Sequence, residues 1–166
     1  MLLLLVRHAQ AGERDPSRWP DDRERPITDE GREIQAEVSK ALRRARLRPD
    51  AVLTSPWTRA RQTADVLVAA MKLDGEPVPC AALAADPDLA ALATCVGERD
   101  ADATVALVGH EPWIGELAAL LLGGTTDAVT VDFPKSGVLG LDVDTIAPGG
   151  AALRFFWRPK QIERLA

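Results

Sequence analysis

Residues 2–9 read Leu2-Leu3-Leu4-Leu5-Val6-Arg7-His8-Ala9. The apolar run Leu2–Val6 stops abruptly at a charge. A continuous run of this length, with turn or charge signals at its end, predicts a strand buried on both faces. Open α/β sheets contain such strands and bind ligands at their carboxyl ends. Arg7 and His8 would stand at that edge. A guanidinium can fork onto phosphate oxygens. An imidazole beside it can attack phosphorus or move a proton. The pair therefore points to a phosphate site, whose other parts must come from elsewhere in the chain.

Outward from that strand, strand and helix signals alternate. Glu13–Arg25 is polar, with Pro16 and Pro20, and reads as a loop. Thr28 suits a helix N-cap, with Asp29 and Glu30 in the first turn. Ile34, Val38, Ala41, Leu42 and Ala45 then mark one helical face. Arg43, Arg44, Arg46 and Arg48 crowd its far end, where they suit the helix dipole as a solvated terminus. Ala51–Thr54 reads as a second strand. Ser55-Pro56 reads as a cap and first-turn proline. Trp57, Ala60, Ala64, Leu67, Val68 and Met71 form the stripe of the helix that follows.

Val78–Cys80 suggests a short third strand, and Asp86-Pro87 opens a helix to about Val96. Thr104–Val108 is an apolar, β-branched strand ending at Gly109-His110. Pro112–Leu122 reads as a helix closed by Gly123-Gly124. Gly137–Val143 and Ala151–Trp157 read as a hairpin around Pro148-Gly149-Gly150. The pattern predicts a three-layer α/β sandwich, with a mainly parallel central sheet flanked by helices. No repeat, low-complexity stretch or domain break interrupts it, so residues 1–166 are expected to form one domain.

The chain has 166 residues, 46% of them hydrophobic, which is globular composition. No apolar stretch approaches the ~20 residues that span a bilayer. Leu2–Val6 is too short for a signal-peptide core and has no basic region before it, so a cytoplasmic protein is expected. Cys80 and Cys95 form no metal or redox motif, and a structural disulfide is not expected. The net charge of −5 argues against broad nucleic-acid binding. An anionic substrate must then be drawn by a local cluster of positive charge.

His8 and His110 are the two histidines. Each directly follows a predicted buried strand, so one sheet edge would bring them together. Arg59 and Arg61 fall in the first turns of a predicted helix, where the dipole is already positive and a bound anion would relieve the repulsion. Arg59, one turn after Ser55, is better placed to reach the strand edge; Arg61 reads as a surface residue. A metal site built on the two histidines is poor, since no carboxylate or cysteine is spaced to complete it. No metal or cofactor is expected.

Four segments, in order, carry a resemblance. They are Leu4-Leu5-Val6-Arg7-His8-Ala9, Arg25-Pro26-Ile27-Thr28-Asp29-Glu30-Gly31, Thr54-Ser55-Pro56 through Thr63-Ala64, and Val108-Gly109-His110-Glu111-Pro112. Together they resemble the histidine phosphatase superfamily, with its phosphoglycerate mutase-like fold. Short length and the lack of a cap insertion make the chain most similar to the small SixA-like phosphohistidine phosphatases. The resemblance implies that His8 is the nucleophile and carries a covalent phosphohistidine. It implies that Arg7 and Arg59 clamp the phosphate and that His110 hydrogen-bonds the transferring group. The chemistry is consistent: phosphoryl transfer needs in-line geometry and neutralised non-bridging oxygens, and two arginines supply fixed donors without a metal. His8 must attack as neutral imidazole, so an acceptor such as a backbone carbonyl should hold its other nitrogen. His110 can be cationic beside a phosphate dianion.

Ala9 replaces the family's usual glycine, which is common in the small branch. The larger departure is at Ala84, where many relatives carry the Glu or Asp that protonates the leaving group. General acid catalysis is worth about 10²–10⁴-fold. A phosphorylated imidazole leaves more easily, because its ring can already be protonated. The expected activity is therefore metal-independent dephosphorylation of protein phosphohistidine, with a phosphotransfer domain as the kind of partner. Alternatives are a small-molecule phosphomonoesterase of the same superfamily, or a phosphate- or phosphoprotein-binding module with little turnover. Glu13, Asp21, Asp22 and Asp86 are candidate donors from loops. Glu111 could orient His110 or serve as a helix-start carboxylate. Ser136-Gly137 reads as a turn at the same edge, and Trp19, Trp57 and Trp113 as packing around the pocket mouth.

Overall fold

The computed structural model describes residues 1–165. Six strands form one sheet in the order β3-β2-β4-β1-β5-β6. They are β1 (Leu2–Arg7), β2 (Ala51–Thr54), β3 (Val78–Pro79), β4 (Thr104–Gly109), β5 (Val138–Val143) and β6 (Ala151–Trp157). β1 to β4 run parallel; β5 is antiparallel to both β1 and β6. The helices are α1 (Asp29–Arg44), α2 (Thr58–Met71), α3 (Leu89–Val96), α4 (Trp113–Gly123) and α5 (Pro159–Leu165). No helix among the described residues is long and apolar enough to cross a membrane.

The leucine run explains the layers. Successive side chains of a strand point to opposite faces. Leu2, Leu4 and Val6 pack with Val38 and Leu42 of α1, Ala64 and Leu67 of α2, and Ile162 of α5. Leu3 and Leu5 pack with Leu92 of α3 and Ile114 and Leu121 of α4. Covered on both sides, β1 can hold no polar residue until its end. Each such leucine contributes about 1.5–3 kcal/mol relative to exposure.

Local signals explain several boundaries. Thr28 Oγ1 accepts from Gly31 N at 3.0 Å, so Thr28 caps α1 as its sequence suggests. Gly31 is required for space: a Cβ there would collide with the Gln10 carbonyl. Gly124, at φ 88°, closes α4 in the left-handed region. Arg43, Arg44, Arg46 and Arg48 are all exposed.

Other boundaries differ from the sequence reading. Ser55-Pro56 does not start α2, which begins at Thr58 with Trp57 as its N-cap. The Ser55 amide instead extends the sheet, donating to Val108 O at 2.9 Å, and its hydroxyl meets His110. Asp86-Pro87 likewise does not open α3. Asp88 does, its carboxylate accepting from Ala90 N and Ala91 N, both at 3.0 Å. β3 stops at Pro79, although Cys80 N still donates to Thr54 O at 2.8 Å. The Glu13–Arg25 loop contains a single 3-10 turn at Asp22–Glu24. α5 follows the hairpin and had no expectation attached.

Candidate active site

Three parallel strands end side by side and deliver the chemistry. Arg7 ends β1 opposite Gly109 of β4, and His8 N continues the ladder to Gly109 O at 3.0 Å. His110 is the next residue of that neighbouring chain segment. Ser55 leaves β2 on the other side of β4. The His8 and His110 ring centroids are consequently 5.1 Å apart. His8, Arg59, His110 and Ser55 are all buried.

The His8 ring is fixed by what surrounds it. Nδ1 lies 2.7 Å from the Ala9 carbonyl, which can only accept, so Nδ1 carries the proton. Nε2 accepts from Arg59 Nε at 3.3 Å, so its single lone pair points at the Arg59 guanidinium. Burial pushes the His8 pKa down to about 3, and Arg59, Arg7 and Lys135 add to that against the pull of the Ala9 carbonyl. Ala9 N in turn donates to Thr63 Oγ1 at 2.9 Å, which anchors the turn to α2. His8 is a neutral imidazole with one nitrogen tied and one presented.

Arg59 enters from the first turn of α2, stacked on Trp57 with its guanidinium carbon 4.6 Å from the ring centroid. Arg61, two residues on, turns outward to Asp65 at 3.0 Å and Glu76 at 3.4 Å. Arg7 donates through Nη1 to Phe133 O, while its Nε is buried with no partner among the described residues. Ser136 N closes the same corner, donating to Arg7 O at 3.1 Å. Ser136 Oγ is buried there without a partner among the described residues. Lys135 reaches Gln10 Oε1 at 2.7 Å, and burial with nearby Arg7, Arg25 and Arg59 lowers its pKa.

His110 is held by a side chain. Its Nε2 lies 2.8 Å from Ser55 Oγ. That hydroxyl oxygen also accepts from Trp57 N at 3.3 Å. His110 Nδ1 is buried and unpartnered among the described residues. Burial pushes the His110 pKa down to about 3, with His8 and Arg59 adding to the effect. Burial thus favours neutral His110, and a phosphate dianion beside it would raise that pKa. Trp57 and Trp113 flank it, at 4.6 and 6.2 Å between centroids. Trp19 packs under Arg18 instead.

Among the described residues, none of the four candidate donors stands free at the pocket. Ala84 ends a 3-10 turn beside β4 and brings no carboxylate. Asp21 pairs with Arg23, Asp86 accepts from the Trp113 indole at 2.9 Å, and Glu13 is exposed. Asp22 reaches Arg59, but the adjacent Arg25 holds its carboxyl below the usual range, so it is ionised. Glu111 does not hold His110 Nδ1. Its carboxylate lies over Gly115 at the start of α4, where burial raises its pKa against the nearby charge of Arg7. Among the described residues no three His, Cys, Asp or Glu side chains gather as metal ligands. Sequence reasoning missed Ser55 as the partner of His110 and Asp22 as the partner of Arg59. The first was hidden because Ser-Pro before a helix reads as a cap; the second lay in a loop with many acids.

Comparison with known proteins agrees with this architecture. Residues 3–83 match the model of the histidine phosphatase superfamily, branch 1. A protein of Picosynechococcus sp. is 35% identical over 143 residues, covering 85% of this chain and 84% of that one. The structure of the protein histidine phosphatase SixA complexed with tungstate superposes with a TM-score of 0.80 at 21% identity, covering 98% of this chain and 99% of that one. The structure of a putative phosphohistidine phosphatase SixA from Nakamurella multipartitia gives 0.63 at 26% identity, covering 95% of each chain. The six-stranded α/β sandwich is thus the fold of the SixA structures, and the chain belongs to the histidine phosphatase superfamily.

Proposed function

We propose that the protein is a metal-independent phosphatase that removes phosphoryl groups from protein phosphohistidine through a covalent phospho-His8 intermediate. The observation that carries this reading is the His8 ring, with Nδ1–H on the Ala9 carbonyl and Nε2 presented beside Arg59. In the first step Nε2 attacks phosphorus and the bond to the substrate imidazole breaks. That imidazole, already protonated on its other nitrogen, leaves neutral. Arg7 and Arg59 neutralise the non-bridging oxygens, as phosphoryl transfer requires. The Nδ1–H of His110 donates to one of them. In the second step water attacks phosphorus, Nε2 departs with its lone pair, and orthophosphate is released. His8 returns to its starting tautomer with no proton to dispose of.

The substrate class follows from the acid. A carboxyl poised to protonate an alkoxide is missing at Ala84, and Asp22 is ionised and paired. Such a site serves a leaving group that needs no proton from the enzyme. The names of the two SixA structures point the same way. One domain over residues 1–166, acting in the cytoplasm, fits this reading.

The test is trapping. Incubation with a labelled phosphohistidine-bearing protein should leave acid-labile phosphate on the wild-type protein and none on His8→Ala. Turnover of that substrate should exceed turnover of alkyl phosphomonoesters. Faster alkyl ester hydrolysis would transfer the assignment to a small-molecule phosphatase. Binding without any trapped phosphate or turnover would make the protein a binding module.

A further inference from the structure

Asp22 stands in the polar segment before α1, and three arginines converge on its carboxylate. Arg25 Nε lies at 2.8 Å, Arg59 Nη1 at 3.3 Å and Arg14 Nε at 3.9 Å. The main-chain carbonyl of Asp22 also accepts from Arg59 Nη1, at 2.8 Å. Arg25 is itself pinned: its Nη1 donates to Gly12 O at 2.6 Å, and its Nη2 is 3.4 Å from Asp22 Oδ2. One corner of the Arg59 guanidinium is therefore fastened twice, to a residue that is fastened again behind it.

The other edge of the same guanidinium decides the meaning. Nε and Nη2 form a parallel fork suited to two oxygens of one anion. Nε faces His8 Nε2 at 3.3 Å. A phosphoryl group attached to Nε2 would replace that hydrogen bond, so Arg59 draws back along this edge and meets the group with Nε and Nη2, not with Nη1. Asp22 thus takes the corner that substrate does not need. An arginine without such a brace loses side-chain entropy each time it engages a ligand. We propose that Asp22, braced by Arg25, is a positioning residue that presets Arg59 with its Nε–Nη2 edge toward His8.

This role rests on the reading of Arg59 as a phosphate clamp. It differs from proton donation: Asp22 stays ionised beside Arg25 and serves every leaving group alike.

The test is a double-mutant cycle of Asp22→Ala and Arg59→Ala, with Asp22→Asn alongside. The readouts are kcat and KM on a phosphohistidine-bearing protein and on an alkyl phosphomonoester, orthophosphate affinity by calorimetry, and Tm. Misplacing a reactive geometry by about 1 Å costs up to ~10²-fold, so Asp22→Ala should lower kcat/KM by about 10–100-fold. It should weaken orthophosphate binding as well. Asp22→Asn, which keeps an acceptor oxygen and the same carbonyl, should recover most of the loss. In the Arg59→Ala background Asp22→Ala should change nothing further. An equal loss in both backgrounds, or a loss that grows with leaving-group basicity, would overturn the proposal. If Asp22→Ala does not fold, Asp22→Ser, whose short side chain cannot reach the Arg59 guanidinium, takes its place in the cycle under the same criterion. Wild-type activity in Arg59→Ala would instead remove the clamp reading, and this one with it.

Discussion

The exits of β1 and β4 look alike in sequence and are held in different ways. Both are buried parallel strands, and both deliver a histidine to the same edge. The His8 ring is tied to a backbone carbonyl next to it in the chain; the His110 ring is tied to the Ser55 hydroxyl from another strand. A backbone acceptor survives any substitution, so the tautomer of His8 is fixed by the fold. The tautomer of His110 hangs on one replaceable oxygen. In the proposed mechanism the residue that attacks with a defined lone pair has the unconditional support. The residue that only donates has the conditional one.

That contrast can be broken most forcefully at the rings. His8→Ala should abolish both trapped phosphate and turnover, a loss of ~10⁴-fold or more, as for removal of a nucleophile. His110→Ala should still trap phosphate, more slowly; loss of trapping in it would erase the distinction. Next in size is the clamp. Arg59→Ala should cost about 3 kcal/mol in kcat/KM, the scale of losing one preorganised donor. Arg61→Ala, which removes two exposed ion pairs and a hydrogen bond to Pro77 O at 3.2 Å, should cost about 1 kcal/mol of stability and leave kcat unchanged. Ser55→Ala strands a buried ring nitrogen and should cost about 1–3 kcal/mol of stability, with kcat falling alongside. An effect on His8 trapping larger than on turnover would put Ser55 on the wrong side of the comparison.

On stability the two histidines agree in sign. Each has a folded pKa near 3 and an ordinary unfolded value near 6.5. The unfolded chain therefore binds the protons between these values. The stability contribution is complete above about pH 6.5 and is lost as pH falls toward 3, by up to ~1.4 kcal/mol per pH unit for each group. Urea unfolding at pH 7 and pH 5 should show the loss, and His110→Ala should shrink it. A pH-independent midpoint across that interval would mean that the rings are solvated.

How much was legible in the sequence follows the same division. Arg7, His8 and His110 were readable because an apolar run covered on both faces must end where polarity begins. Arg59 was separable from Arg61 by counting one turn from Ser55. Ser55 was assigned to capping because Ser-Pro before a helix has a local explanation. Its true partners, Val108 O and His110, are more than fifty residues away and leave no local trace. Asp22 was one of several acids in a loop, and only side-chain geometry picks it out. The start of α3 was misplaced because Asp86-Pro87 and Asp88 offer the same kind of signal two residues apart.

β1 has a consequence for biosynthesis. Its two neighbours in the sheet begin at Thr104 and Val138, so the leucine run pairs with nothing made near it in time. At ~5–20 residues per second, the most apolar segment of the chain waits several seconds on the ribosome before a partner emerges. During that interval it is an unpaired edge of five consecutive apolar residues, the kind of segment that aggregates or recruits a holding chaperone. The strand that places His8 is thus also the early hazard of synthesis.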